Sequence, residues 1–97
     1  HINCIGHLCA KTFSSILGPD DIAAITTAAN DKGIAVELNC ANLVNNKTDP
    51  ANLEAMLHAC RILYVNSDGH TLHEISTVRK LGFEYLHKKG FTGLIDV

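Results

Sequence analysis

Apolar positions along this chain switch between short unbroken runs and runs spaced three and four apart. That alternation predicts strand, helix, strand, helix, strand, helix. Ile2–Gly6 is the first short apolar run and reads as a strand. Leu8–Leu17 has no clear period and reads as a loop. Gly18-Pro19-Asp20-Asp21 starts a helix, because proline suits the first helical position and acids suit the first turn. Ile22, Ile25 and Ala29 then recur at helical spacing, and Gly33 stops the run. Ile34–Asn39 is the second strand, with Val36 and Leu38 on one side and Ala35, Glu37 and Asn39 on the other. The polar, asparagine-rich stretch Cys40–Thr48 is expected to be a loop. Asp49-Pro50 opens a second helix, whose Leu53, Met56, Leu57 and Cys60 form one apolar stripe at i, i+3, i+4 and i+7.

Ile62–Asn66 is the third strand and Ser67–His70 its exit loop. Thr71-x-x-Glu74 matches a capping box. The helix that follows is expected to run to about Lys89, with a kink near Gly82. Residues 91–97 read as a last strand or a frayed tail. No repeat, linker or low-complexity segment interrupts the 97 residues, so the chain is one domain or part of one. Strands alternating with helices imply an α/β fold with parallel strands and right-handed crossovers. In such folds chemistry gathers where strands end.

Composition narrows the classes. Net charge is -2 with histidines neutral, which argues against nucleic-acid binding through overall basicity. A phosphorylated substrate held through a metal is not excluded by it. No run of 18 apolar residues occurs, so no membrane span is expected, and no signal peptide is recognisable. The four cysteines form no C-x-x-C pair, which disfavours a zinc ribbon. Cys40 and Cys60 lie in or beside apolar runs and suit buried, reduced thiols, from which a cytoplasmic location is expected. The chain begins at His1 without a methionine, as a trimmed chain or a piece of a longer one would.

Three strand ends carry polar groups that could share one face: Gly6-His7, Glu37-Leu38-Asn39 and Asp68-Gly69-His70. Imidazole nitrogens and carboxylate oxygens are the donors a divalent metal takes near neutral pH. Singly, each has a plainer reading. Asp-Gly is a common turn, and a histidine near a helix start is often merely solvated. Their joint placement at strand ends favours a site. His73, in a first helical turn, lies close enough in sequence to touch a ligand. His58 and His87 read as helix-surface residues, and Arg79, Lys80, Lys88 and Lys89 as a solvated basic face.

"IGH" at Ile5–His7, "VELN" at Val36–Asn39 and "NSDGH" at Asn66–His70 together resemble the closing half of a PHP (polymerase and histidinol phosphatase) domain. The resemblance spans nearly the whole chain, and NSDGH is its most specific piece, with glycine where alanine or serine is usual. It implies a metal-dependent phosphoesterase on a distorted (β/α)7 barrel. It also implies His7, Asp68 and His70 as metal ligands, with no catalytic group separate from them. Glu37, Asn39, Ser67 and His73 would then support the ligands or the substrate. The cofactor would be Zn, Mn or Fe, and the substrate a phosphorylated small molecule or a nucleotide.

The family's opening H-x-H motif is absent. Three ligands cannot fill a cluster of two or three metals that each take about four to six donors. The chain is therefore expected to be the C-terminal portion of such a barrel. It should be weak or inactive alone, with an N-terminal half or another domain supplying the rest. Two alternatives stand beside this reading: a noncatalytic α/β binding module, and an amidohydrolase-like metal hydrolase.

Overall fold

The computed structural model of the chain describes residues 4–68 and 71–96. Four parallel strands form one sheet in the order β1 (Cys4–Ile5), β2 (Ala35–Asn39), β3 (Ile62–Asn66) and β4 (Leu94–Asp96). Sequence order and spatial order coincide. Between them run α1 (Pro19–Asp31), the short α2 (Cys40–Val44), α3 (Pro50–Ala59) and α4 (Leu72–Lys89).

The helix starts follow from local chemistry. Asp21 Oδ2 accepts from the Gly18 N–H at 3.0 Å. Asp49 Oδ1 accepts from the Asn52 N–H at 3.0 Å. Thr71 Oγ1 accepts from the Glu74 N–H at 3.1 Å. Each satisfies a donor that a helix N-terminus leaves free. The expected capping box at Thr71 is only half formed, because the Glu74 carboxylate takes the Thr71 hydroxyl itself at 3.3 Å. Gly33 (φ +75°) and Gly90 (φ +72°) end α1 and α4 in the left-handed region, which glycine enters without steric cost.

Crossovers of one hand, advancing strand by strand in one direction, place all the helices on one face of the sheet. The core agrees. Ile22 and Ala29 of α1, Cys40 of α2, Leu53 and Met56 of α3 and Leu86 of α4 form a single cluster with Val36, Leu38, Leu63 and Val65 of the sheet. Each fully buried aliphatic side chain there contributes about 2 kcal/mol. The strand register puts Cys4, Ala35, Ile62, Tyr64 and Leu94 on the opposite face, and none of them belongs to that cluster. Leu94 is 73% exposed. The second face is thus apolar in its first half and polar, through Glu37, Asn39 and Asn66, toward the strand C-termini.

Asn30 joins α1 to two strands. Its Nδ2 donates to the Ile34 and Ile62 carbonyls at 2.9 and 3.2 Å. Its Oδ1 accepts from the Arg61 and Ile62 amides at 2.7 and 3.1 Å. One buried amide therefore sets where β2 and β3 begin.

Three expectations change. The stretch Cys40–Thr48 is not all loop, since Cys40–Val44 is helical. Asn39 caps that helix by accepting from the Asn42 N–H at 2.9 Å, while Cys40 is buried and Leu43 packs on the core. Leu8–Leu17 contains a 3₁₀ turn over Lys11–Phe13 and an antiparallel bridge from Ala10 to Thr48. α4 runs unbroken through Gly82, whose missing side chain lets Cys40 approach the helix.

Candidate functional site

The C-terminal ends of β1, β2 and β3 carry a closed circuit of polar contacts. The His7 N–H donates to Glu37 Oε1 at 2.9 Å. Glu37 Oε2 accepts from Asn66 Nδ2 at 2.7 Å. Asn66 Oδ1 accepts from the Asp68 N–H at 3.1 Å. Asp68 Oδ2 accepts from Asn39 Nδ2 at 3.3 Å. Asn39 Oδ1 accepts from the Asn42 N–H, and Asn42 Nδ2 lies 3.5 Å from His7 Nδ1. Six residues from three strand ends and one helix close on themselves. The strand-to-strand links join residues 29 or 30 positions apart.

Within the circuit Glu37 and Asn39 are buried, at 8% and 6% exposure, while His7 and Asp68 are exposed. The buried members hold position and the exposed members face solvent. His7 (φ +58°) and Asp68 (φ +52°) both adopt left-handed backbone conformations. That geometry costs a residue with a side chain about 1–2 kcal/mol, and such outliers concentrate at functional sites. Each lies just past a strand end, which turns its side chain out over the sheet edge.

His7, Glu37, Asn39 and Asp68 therefore meet at one sheet edge, as strand-end placement implies. His70 lies outside the described residues. His73 is exposed in the first turn of α4, and Ser67 is half-buried beside Asp68. Asn42 and Asn66 complete the circuit and carry no role in the sequence reading. Asn66 could have been found as the last residue of β3, directly paired in register with Asn39. Asn42 could not, because its place depends on α2.

Among the described residues no group of three His, Cys, Asp or Glu side chains is placed to hold a metal ion. His7 and Asp68 are two of the three donors assigned from sequence. The links between them run through the Asn42 and Asn39 carboxamides on one side and through the Glu37 carboxylate and Asn66 carboxamide on the other, and these groups position the donors.

The thiols of Cys4 and Cys40 are both held toward the protonated form. Burial, with the Glu37 charge adding, raises the pKa of Cys4. Burial pushes the Cys40 thiol up to about 11, with Arg79 pulling it down and Glu37 pushing it up. Raised thiols of this kind are inert.

A cleft of about 550 Å³ opens beside the circuit, with His7 and Asn42 on its floor and Lys11, Phe13 and Lys47 in its walls. A void of about 10 Å³ under Glu37, Asn39 and Asn42 is at the lower limit for one water molecule. A separate depression of about 280 Å³ lies where α3 and α4 end, lined by Glu54, His58, Cys60 and Lys89. Its Lys89 is paired with Glu54 at 3.4 Å, and burial pushes its Cys60 thiol up to about 11. That depression shares no residue with the circuit at the strand ends.

No helix among the described residues is long and apolar enough to cross a membrane. Comparison of the chain with protein-family models, with curated proteins and with solved structures gave no match.

Proposed function

We propose that this chain is the C-terminal portion of a PHP-type, metal-dependent phosphoesterase barrel, with His7, Asp68 and His70 as its share of the metal ligands. One observation carries the reading. His7 and Asp68 leave two different strands in left-handed conformations and are tied through Asn42 and Asn39 into one circuit around the buried Glu37.

The sheet supports it. Parallel strands in sequence order, with helices on one face only, match a segment of a β/α barrel, whose interior would be the face bearing Tyr64, Glu37 and Asn39. An N-terminal half would cover that face and supply the remaining ligands. A cation at this edge, Zn, Mn or Fe, would supply Lewis acidity toward a phosphoryl oxygen and lower the pKa of water. Glu37 fixes the His7 turn, and Asn39 orients the Asp68 carboxylate by donating to one of its oxygens.

The chain purified without chelator is expected to retain Zn, Mn or Fe by elemental analysis and to hydrolyse an aryl phosphate slowly. Asp68→Ala should lose both. Equal metal content and rate in wild type and Asp68→Ala would overturn the assignment. A second reading is a noncatalytic α/β binding module. A metal-free, hydrolytically silent wild type would support it.

A further inference from the structure

The cleft beside the circuit narrows the ligand. One wall is the turn Lys11–Phe13 after β1, and the other is the segment around Asn46 and Lys47 after α2. The Lys11 N–H donates to the Lys47 carbonyl at 2.9 Å, and the adjacent Ala10–Thr48 bridge continues the pairing. The two segments are thus pinned to each other by main-chain bonds, which fixes the cleft's lining. Its floor is shared with the site, through His7 and Asn42.

Three side chains give the cleft its chemistry. Phe13 is 44% exposed, a large aromatic left in contact with water. Lys11 and Lys47 bring two cations to a chain of net charge -2, and neither forms an ion pair among the described residues. An aromatic face stacks on planar rings of any sequence, and ammonium groups take anions. The volume of about 550 Å³ lies within the range of roughly 300–1,000 Å³ typical of small-molecule sites.

We propose that this cleft binds a nucleoside monophosphate or a closely similar aromatic phosphate. The planar group stacks on Phe13, and the phosphate sits between Lys11 and Lys47, directed toward His7. The phosphate's approach to His7 rests on the phosphoesterase reading, whereas binding in the cleft needs no metal.

The test is calorimetric titration of the full chain in EDTA with adenosine 5′-monophosphate, adenosine and ribose 5-phosphate. The monophosphate is expected to bind about tenfold or more tightly than either part. Phe13→Ala should weaken it about tenfold while leaving ribose 5-phosphate unchanged. Phe13→Tyr keeps the stacking face and should bind as wild type does. The double variant Lys11→Ala/Lys47→Ala should weaken both phosphates, flatten their salt dependence and spare adenosine.

Equal binding of the monophosphate and ribose 5-phosphate overturns the proposal, as does no saturable binding of the monophosphate. Monophosphate binding retained in a metal-free Asp68→Ala chain upholds the cleft even where the metal assignment fails. Metal-dependent aryl phosphate hydrolysis without monophosphate binding sinks the cleft alone.

Discussion

The backbone amide of His7, not its imidazole, binds Glu37, donating to Oε1 at 2.9 Å. Glu37 thereby holds the turn that presents the ring, whose Nδ1 lies 3.5 Å from Asn42 Nδ2. Its other oxygen accepts from Asn66 Nδ2 at 2.7 Å, so both oxygens face donors. Glu37→Gln would turn an NH₂ toward one of those donors. Asn66 cannot simply flip to accommodate it, because its own oxygen already accepts from the Asp68 amide. The variant should lose about 1–3 kcal/mol of stability in urea denaturation, the usual penalty for a mispaired buried polar group. An unchanged urea midpoint would show that the circuit does not constrain the fold.

His7 and Asp68 separate site from scaffold in the opposite way. Replacing His7 by glycine removes the side chain from a left-handed position and keeps the amide bond to Glu37. Relief of about 1–2 kcal/mol of backbone strain is offset by the greater freedom of glycine in the unfolded chain. His7→Gly should therefore melt at or slightly above the wild-type temperature while losing metal affinity at least tenfold. A marked fall in melting temperature would make the imidazole a structural group.

Gly82 and Cys40 form a steric pair. A Cβ built on Gly82 would overlap Cys40 Sγ, and Cys40 is fully buried. Gly82→Ala should cost about 1–3 kcal/mol, despite the better helix propensity of alanine. Cys40→Ala/Gly82→Ala should recover much of that loss, a coupling that denaturation of the two single variants and the double would expose. Additive losses would mean that the helix and α2 do not pack as described.

Three buried thiols make stability depend on alkaline pH. Burial pushes Cys9 up to about 12, and Cys40 and Cys60 up to about 11, from an ordinary value of 9.0. Below pH 9 these thiols stay protonated in both states and their burial contributes fully. Above it the unfolded chain ionises while the folded chain does not. Stability should therefore be level to pH 9 and then fall toward pH 11, by at most about 1.4 kcal/mol per pH unit for each thiol. Tyr85, also raised by burial, acts in the same direction. Urea midpoints at pH 8, 9.5 and 10.5 measure the slope, and Cys9→Ala should reduce it. A flat profile to pH 11 would contradict the burial.

The elements most legible in sequence were those with strong local chemistry. Ile62–Asn66 is a strand with the expected bounds, and Pro19, Pro50 and Thr71 mark helix starts where composition places them. α2 was not legible, because five residues carry too little of a helical period. Its stability comes from the Asn39 cap and from Cys40 packing against Gly82, both tertiary facts. Asn30 was hidden for a similar reason. A polar residue in α1 reads as surface until the strand starts it bonds, 4 and 32 positions away, are brought around it.

The candidate site was legible as residue types at strand ends and not as a network. Which oxygen meets which amide depends on register between strands about thirty residues apart. The pairing of Asn39 with Asn66 across β2 and β3 became visible only with the ladder formed. The left-handed turns at His7 and Asp68 were equally invisible, since glycine is the usual mark of such a position and neither residue is glycine.

The most direct measurement is residue-resolved NMR of the full chain titrated with substoichiometric Mn²⁺, whose paramagnetism broadens nearby amides. Broadening is expected to be confined to residues around His7, Glu37–Asn39 and Asn66–Asp68, and to vanish in Asp68→Ala. Broadening centred on His58 or His87, or spread evenly with no dependence on Asp68, would contradict a metal site at this sheet edge.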